Sequence, residues 1–314
     1  MHAQFVTVSF SFVFYLVTLL TEVRSIQNGK GFFGLPMCGT PRAEYTTEVG
    51  DSITSTAAID EFPWTAALIY KFERCEIKEA ILCTGALISS NCVLTAAQCI
   101  RSPKKTKLDR VRLGEYNITK RQECIVEEYG EECIDFIDRE ISETIVHENY
   151  NEDTKDNDIA ILILSSKSGG LQFSDFIRPI CLAATNMPEN SPALRQQQTV
   201  FISGWGARSF NESQSEIKKK VVSELITNEE CRRAFTSRSI TKNHICTKDL
   251  RSNKAFTSFG DAGAPVMSKC NPRVWCLIGL FSWTANADSK PRVHTRISEY
   301  ADWIRVNANL PKGI

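Results

Sequence analysis

The sequence has little of what most binding chemistries require. Its 37 Lys+Arg are matched by 37 Asp+Glu, so no excess of one sign steers it toward nucleic acid or an acidic surface. No apolar run after residue 20 is long enough to cross a bilayer, so no membrane span is expected. No fixed-period repeat and no low-complexity tract is present, which excludes solenoids and arrays. Paired C-x2-C spacings with nearby histidines are missing, which argues against a structural metal. Histidine is scarce: only His2, His147, His244 and His294 offer an imidazole.

Cysteine, by contrast, is abundant. Twelve in 314 residues, an even number, favour an oxidising compartment. Residues 1–25 agree: an apolar stretch from Phe5 to Leu20 followed by polar residues reads as a secretory signal peptide. An uncleaved N-terminal anchor is the rival reading, since no Lys or Arg precedes the stretch. Two N-x-[ST] triplets, at Asn117 and Asn211, are candidate glycosylation sites on the same route. A secreted, extracellular protein is therefore expected.

Residues 26–50 are Gly-rich and polar, with a single cysteine, Cys38, and read as a short leader rather than a domain. Beyond them the chain shows short β-rich runs at 64–70, 81–88, 92–97, 158–164, 200–202 and 274–283, separated by turn or charged clusters. Many short strands with irregular loops indicate an all-β barrel or sandwich. The C-terminus differs. Tyr300, Trp303 and Ile304 share one helical face, with Ser298 as the expected N-cap. One β-rich domain over 51–314, closing with an α-helix, is expected.

A series of segments then narrows the reading. In order they are Glu61-Phe62-Pro63-Trp64, the run from Cys83 to Cys99 ending Thr95-Ala96-Ala97-Gln98-Cys99, Val111-Arg112-Leu113-Gly114-Glu115, Ile145-Val146-His147, Asn157-Asp158-Ile159-Ala160, Arg178-Pro179-Ile180-Cys181, Gly204-Trp205-Gly206, Gly260-Asp261-Ala262-Gly263-Ala264-Pro265 and Ser282-Trp283. Together, over about 250 residues, the chain resembles the chymotrypsin-like, trypsin-type serine protease family. The resemblance implies two six-stranded antiparallel β-barrels with a cleft between them, and no cofactor.

The same resemblance locates the family's catalytic machinery and shows it altered. In that machinery a serine attacks a carbonyl, a histidine takes its proton and a buried aspartate orients the histidine. The histidine position is Gln98, whose amide does not titrate near neutral pH. The serine position is Ala262, which has no oxygen. Asp158 remains, with Gln98 and Ser282 as expected hydrogen-bond donors. Backbone N–H groups of Gly260 and Ala262 stand where the oxyanion hole lies. The pocket-equivalent positions are Phe256 at the base and Ser282, Trp283, Thr284 and Arg292 along the walls, so the pocket is expected to be filled. The cysteines that flank this pocket in the family are missing, with Ser258 at one position. Around residues 49–58 there is no basic residue and no Gly-Gly for an activating cut, and Arg42 is the nearest basic candidate. A single, zymogen-like chain is implied.

The resemblance also implies the pairs Cys83–Cys99, Cys38–Cys181 tethering the leader, Cys231–Cys246, Cys124–Cys133 in an acidic insert like that of arthropod immune-cascade proteases, and Cys270–Cys276. Cys75 and Cys92 are left as the sixth pair. Glu115 and Asn117 fall where some relatives bind calcium, but the acidic insert alters that loop and a solvated turn is expected instead. Arthropod relatives often carry a clip module, and one cysteine before residue 75 leaves none here.

Three functions compete. The first is a non-catalytic homologue that binds an extracellular protein partner, such as a protease or its substrate, as cofactor, decoy or regulator of a proteolytic cascade. The second is an active endopeptidase using unusual groups. The third is a glycan- or matrix-binding scaffold using Arg101/Lys104/Lys105/Lys107/Arg110 or Lys218/Lys219/Lys220, although such charge runs are ordinarily solvated loops. Tyr129 with Glu127, Glu128, Glu131 and Glu132 offers a further partner face. The first function is the expectation carried forward.

Overall fold

The computed structural model describes residues 38–42, 54–73, 79–101, 106–127, 130–167, 169–183, 191, 193–206, 214–235, 238–250, 261–284 and 291–310. The signal peptide, most of the leader, Cys75, Lys104, Lys105, Glu128, Tyr129, Asn211, Phe256, Ser258 and Gly260 lie outside the described residues.

A short strand β1 (Thr54–Thr56) precedes the first barrel, which closes through β2 (Thr65–Phe72), β3 (Glu79–Leu87), β4 (Cys92–Thr95), β5 (Thr106–Leu113), β8 (Ile137–Val146) and β9 (Ala160–Leu164) in the order β2-β3-β4-β9-β8-β5. Between β5 and β8 a separate hairpin, β6 (Gln122–Glu127) and β7 (Gly130–Asp135), stands apart and is cross-linked by Cys124–Cys133. The second barrel comprises β11 (Thr199–Gly204), β12 (Lys219–Ile226), β13 (His244–Asp249), β14 (Pro265–Asn271), β15 (Val274–Thr284) and β16 (Arg292–Arg296), and pairing of β12 with β13 closes it. β1 is added to β12, and the two-residue β10 (Cys181–Leu182) runs parallel to β15. Two helices complete the chain, α1 (Asn228–Ala234) and α2 (Ile297–Asn307). Both barrels are thus six-stranded and antiparallel, as expected.

Inward apolar side chains specify this closure. β2 and β4 are buried nearly throughout, and the core around Trp64, Leu68, Leu87, Leu94, Ile161 and Leu162 continues across to Phe201, Met267 and Trp275 of the second barrel. Removing such area from water contributes roughly 25 cal/mol per Å². Phe62 and Phe201 each meet Trp275 edge-on, with ring centroids 5.6 and 5.2 Å apart, a geometry aromatic quadrupoles favour. Of the strands absent from the sequence reading, notably β5 and β8, β5 buries Val111 and Leu113 in the core, and the two are also joined by charge. Arg110 and Arg112 of β5 both bind Asp138 of β8, and Arg110 also reaches Glu79 of β3.

Five of the six expected disulfides are present: Cys38–Cys181, Cys83–Cys99, Cys124–Cys133, Cys231–Cys246 and Cys270–Cys276. The sixth is corrected. Cys92 carries a free thiol, because its position on β4 turns the side chain into the core beneath the end of α2, where its Sγ lies 3.7 Å from the Ala308 carbonyl. It serves as a small apolar core group. The N-cap is corrected as well: α2 is capped by Arg296 without a side-chain bond, and Ser298 lies inside the helix with its hydroxyl unbonded. Tyr300 and Ile304 face inward as the periodicity indicates.

Burial raises the pKa of the Cys92 thiol. Native protein treated with iodoacetamide should remain unmodified at Cys92 by peptide mapping and become modified once unfolded in denaturant; comparable modification of both states would contradict this packing.

Candidate functional site

The site lies where the barrels meet. A one-turn 3-10 helix, Ala97–Cys99, follows β4 and delivers Gln98, while the Cys83–Cys99 bridge ties that turn to β3. Asp158 precedes β9 and is 1% exposed. Gln98 backbone N–H donates to Asp158 Oδ1 at 2.9 Å, and its Nε2 donates to Asp158 Oδ2 at 2.7 Å and to the Ser282 carbonyl at 2.7 Å. Ser282, on β15, donates its hydroxyl to Asp158 Oδ2 at 2.5 Å. Thr295 Oγ1, on β16, donates to the Asp158 carbonyl at 2.8 Å. Burial raises the pKa of the Asp158 carboxyl, opposed by the Ser282 and Gln98 hydrogen bonds and the charge of Lys155.

Among the described residues, no histidine hydrogen-bonds to the Asp158 carboxylate. His147 packs against Tyr300 and Trp303, His244 lies 3.9 Å from Asp156, and His294 shares a 2.9 Å hydrogen bond with Thr247 deep in the second barrel. Burial pushes His294 down to about 3, so it stays neutral at physiological pH.

Ala262 lies on the loop before β14, and its carbonyl accepts from Thr84 N–H of β3 at 2.9 Å. The next residue must be glycine. Gly263 has φ +80°, and a Cβ there would fall 2.2 Å from Thr95 Oγ1. Asp261 is buried, and its Oδ1 accepts from Gly206 N–H at 2.9 Å. A Cβ at Gly206 would sit 1.9 Å from Asp261 Oδ2, so the glycine of Gly204-Trp205-Gly206 makes room for the carboxylate. Burial chiefly raises the Asp261 carboxyl to about 7, partly countered by Gly206 N–H and by the charge of Arg292. Ser282, Trp283 and Thr284 follow one another on β15, with Arg292 registered opposite Thr284 and buried. Thr284 Oγ1 donates to the Pro291 carbonyl. Phe256 and Gly260 lie outside the described residues, so the pocket base and one oxyanion-hole donor do too.

Other expected surface sites differ from the sequence reading. Lys218–Lys220 is not a solvated basic loop. Lys218 is buried, with burial pushing its ammonium down to about 8 against the nearby charges of Glu61, Asp60 and Glu115. Lys220 pairs with Glu61 at 2.7 Å and Lys219 donates to Thr56 Oγ1, because β12 carries all but Lys218 into the second barrel's sheet. Arg110 of the other cluster is consumed by Glu79, Asp109 and Asp138. At the Asn117 sequon the side chain is buried, its Oδ1 accepts from Thr119, and residue 117 bridges to Ile217. Glu115 is also buried, with its carboxylate turned to Arg112 at 3.2 Å instead of lying in a solvated turn. The grouping Cys124, Glu131 and Cys133 offers no thiolate, since both sulfurs form the bridge.

With this geometry in place, comparison decides the family. The Trypsin family profile matches residues 53–304. The chain belongs to the trypsin family. Its relatives include CLIP domain-containing serine protease B9 of Anopheles gambiae, 34% identical over 259 residues, covering 80% of this chain and 61% of that protein. Phenoloxidase-activating factor 1 of Holotrichia diomphalia is 30% identical over 261 residues, covering 79% of this chain and 67% of that protein. The chain therefore spans about three fifths to two thirds of the length of these relatives. Among solved structures, the Drosophila Grass clip serine protease of the Toll pathway superposes with a TM-score of 0.72 at 24% identity, over 92% of this chain and 78% of that chain, which shows the shared fold. Within the trypsin family, then, this chain holds Gln98 against Asp158 in place of an imidazole. Arg101, named in the sequence within a basic cluster, lies by the Tyr150 ring together with Lys155, and Arg238 lies over Trp283; Lys155 and Arg238 were not foreseen from the sequence, and only the strained backbone of Lys155 and Asn157, with φ of +61° and +55°, marks the place.

Gln98→Leu removes both Nε2 hydrogen bonds while Asp158 stays buried. It should lower unfolding free energy by about 2 kcal/mol in denaturant titration, whereas Gln98→His, which keeps a donor, should lose less. Asp261, whose folded value is raised above the ordinary 3.8, holds its proton more tightly folded than unfolded. Its contribution to stability therefore falls as pH rises from its ordinary range to about 7. Asp261→Asn should remove this component, so the stability difference between variant and native protein should grow in the variant's favour over that interval.

Proposed function

We propose that this trypsin-family chain is a secreted, non-catalytic homologue. It acts by binding a protein partner, as cofactor, decoy or regulator of an extracellular proteolytic cascade. The observation that carries the reading is the amide of Gln98 bonded to Asp158 and Ser282 where the family places an imidazole, together with Ala262 at the nucleophile position. An amide cannot accept the nucleophile's proton at neutral pH, and a methyl group cannot attack a carbonyl. Removing a triad leaves only about 10³–10⁴-fold acceleration over water from the oxyanion hole and binding.

Several features support the wider reading. The apolar stretch in residues 1–25 and the five bridges suit an exported protein. The relatives are named as serine proteases with a clip domain and as a phenoloxidase-activating factor, which suits a place among proteolytic cascade proteins. The stretch 49–58 lacks a basic residue for activation, and Asp261 rests on Gly206 N–H.

A serine-directed fluorophosphonate probe should leave the purified secreted protein unlabelled, and clear active-site labelling would overturn the reading. The double variant Gln98→His, Ala262→Ser should still fail to cleave after Arg or Lys, because Phe256 and Arg292 remain at the pocket positions; robust tryptic turnover by that variant would show the pocket assignment to be mistaken.

A further inference from the structure

We infer that the cleft above Asp158 is a docking groove for an acidic, extended segment of a protein partner, held by Arg101, Lys155 and Arg238 around the rings of Tyr150 and Trp283. The inference rests on the non-catalytic reading above and names the chemistry of the partner.

The rim is assembled from four separate parts of the chain. Arg101 follows the turn carrying Gln98, and its guanidinium lies 5.8 Å from the Tyr150 ring centroid. Lys155 comes from the loop before Asp158; its ammonium lies 5.9 Å from the same ring and donates to the Tyr150 hydroxyl at 3.3 Å. Arg238, beyond α1, lies 4.8 Å over Trp283, which directly follows the Ser282 that binds Asp158. Arg101 is exposed, and Lys155 and Arg238 are half-buried. Among the described residues none of the three has an acidic partner within ion-pair distance, unlike Arg42, Arg110, Arg112, Arg178 and Lys220, which do. In a chain with no net charge, three unneutralised cations at one cleft are a local departure.

The surrounding fields agree with this arrangement. Burial chiefly raises the Tyr150 hydroxyl, with the charges of Asp158 and Glu152 adding and those of Arg101 and Arg238 opposing. The acids near the rim do not fill it. Asp158 is consumed by Gln98 and Ser282, Asp156 accepts from Thr154, and Glu152 is exposed on the outer loop. Lys155 is held at φ +61°, which few long side chains adopt, and Lys155 N–H donates to the Asn151 carbonyl to fix that loop. Cations lying over aromatic faces keep their charge available on the outer side, and arginine with tyrosine and tryptophan are the side chains most enriched at protein contact centres. The complement of cations contributed by separate segments is a chain of carboxylates in extended conformation, which can reach several of them at once.

The test uses the full secreted chain and a fluorescein-labelled octapeptide of alternating aspartate and glutamate, with an asparagine–glutamine octapeptide as neutral control, both followed by fluorescence anisotropy. The acidic peptide should bind at low ionic strength and weaken with added salt, and the neutral peptide should not bind. Arg101→Glu, Lys155→Glu and Arg238→Glu together should weaken binding at least ~10-fold, while reversing charge elsewhere, Lys107→Glu with Arg273→Glu, should change it less than ~2-fold. If the triple variant misfolds by circular dichroism, Arg238→Gln alone should still weaken binding about threefold. Equal binding of the two peptides, or retention of affinity in the rim variants, overturns the inference. So does a heparin oligosaccharide that binds in a rim-dependent way while the acidic peptide does not, which assigns the groove to glycan. Hydrolysis or fluorophosphonate labelling is read separately: its appearance defeats the non-catalytic reading, whereas loss of peptide binding without it defeats only the acidic-partner inference.

Discussion

A single buried carboxylate organises the meeting of the two barrels. Asp158 is almost wholly out of water, so its charge is tolerable only while several donors point at it. Those donors come from both sides: Gln98 from the turn after β4, and Ser282 from the second barrel, while Thr295 of the second barrel binds the Asp158 main-chain carbonyl. The amide of Gln98 reaches further, donating also to the Ser282 carbonyl and so bridging the barrels directly. The amide at position 98 therefore ties the two barrels together through the buried carboxylate.

The same economy appears around Ala262. Its loop still needs Gly263 in a left-handed conformation against Thr95, still turns Asp261 toward Gly206, and still bonds to Thr84. These constraints are steric and hydrogen-bonding in nature, and none depends on a hydroxyl at residue 262. The framework of this loop and the chemistry of residue 262 thus draw on different atoms.

Charge is where the tertiary arrangement most changes the picture. Runs that look alike in sequence meet different fates. Lys218 is buried beside Glu61, Asp60 and Glu115, Arg110 is enclosed by three carboxylates, and Arg101 stays exposed over a tyrosine. A buried lysine is costly unless acids surround it, and an exposed arginine on a ring retains its field toward solvent. Arg101, Lys155 and Arg238, far apart in sequence, each lie near an aromatic ring in the fold.

The apolar strands β2, β3, β4, β9 and β15 were legible from short hydrophobic runs, and the order of short motifs located Gln98, Asp158 and Ala262 together with five disulfides. β5 and β8 were not legible, because Lys107, Asp109, Arg110 and Arg112 alternate with few apolar residues and their strand is joined in part by ion pairs to Asp138 and Glu79. Cys92 was misread for a related reason: parity suggests a bridge, whereas burial under α2 makes the thiol a packing group. The amino-acid sequence alone determined which functional groups exist at each position, and so that no imidazole and no hydroxyl stand at 98 and 262. Only the tertiary structure decided which charges are desolvated, paired or left facing the cleft, since solvation and pairing depend on neighbours that the chain brings together from distant segments.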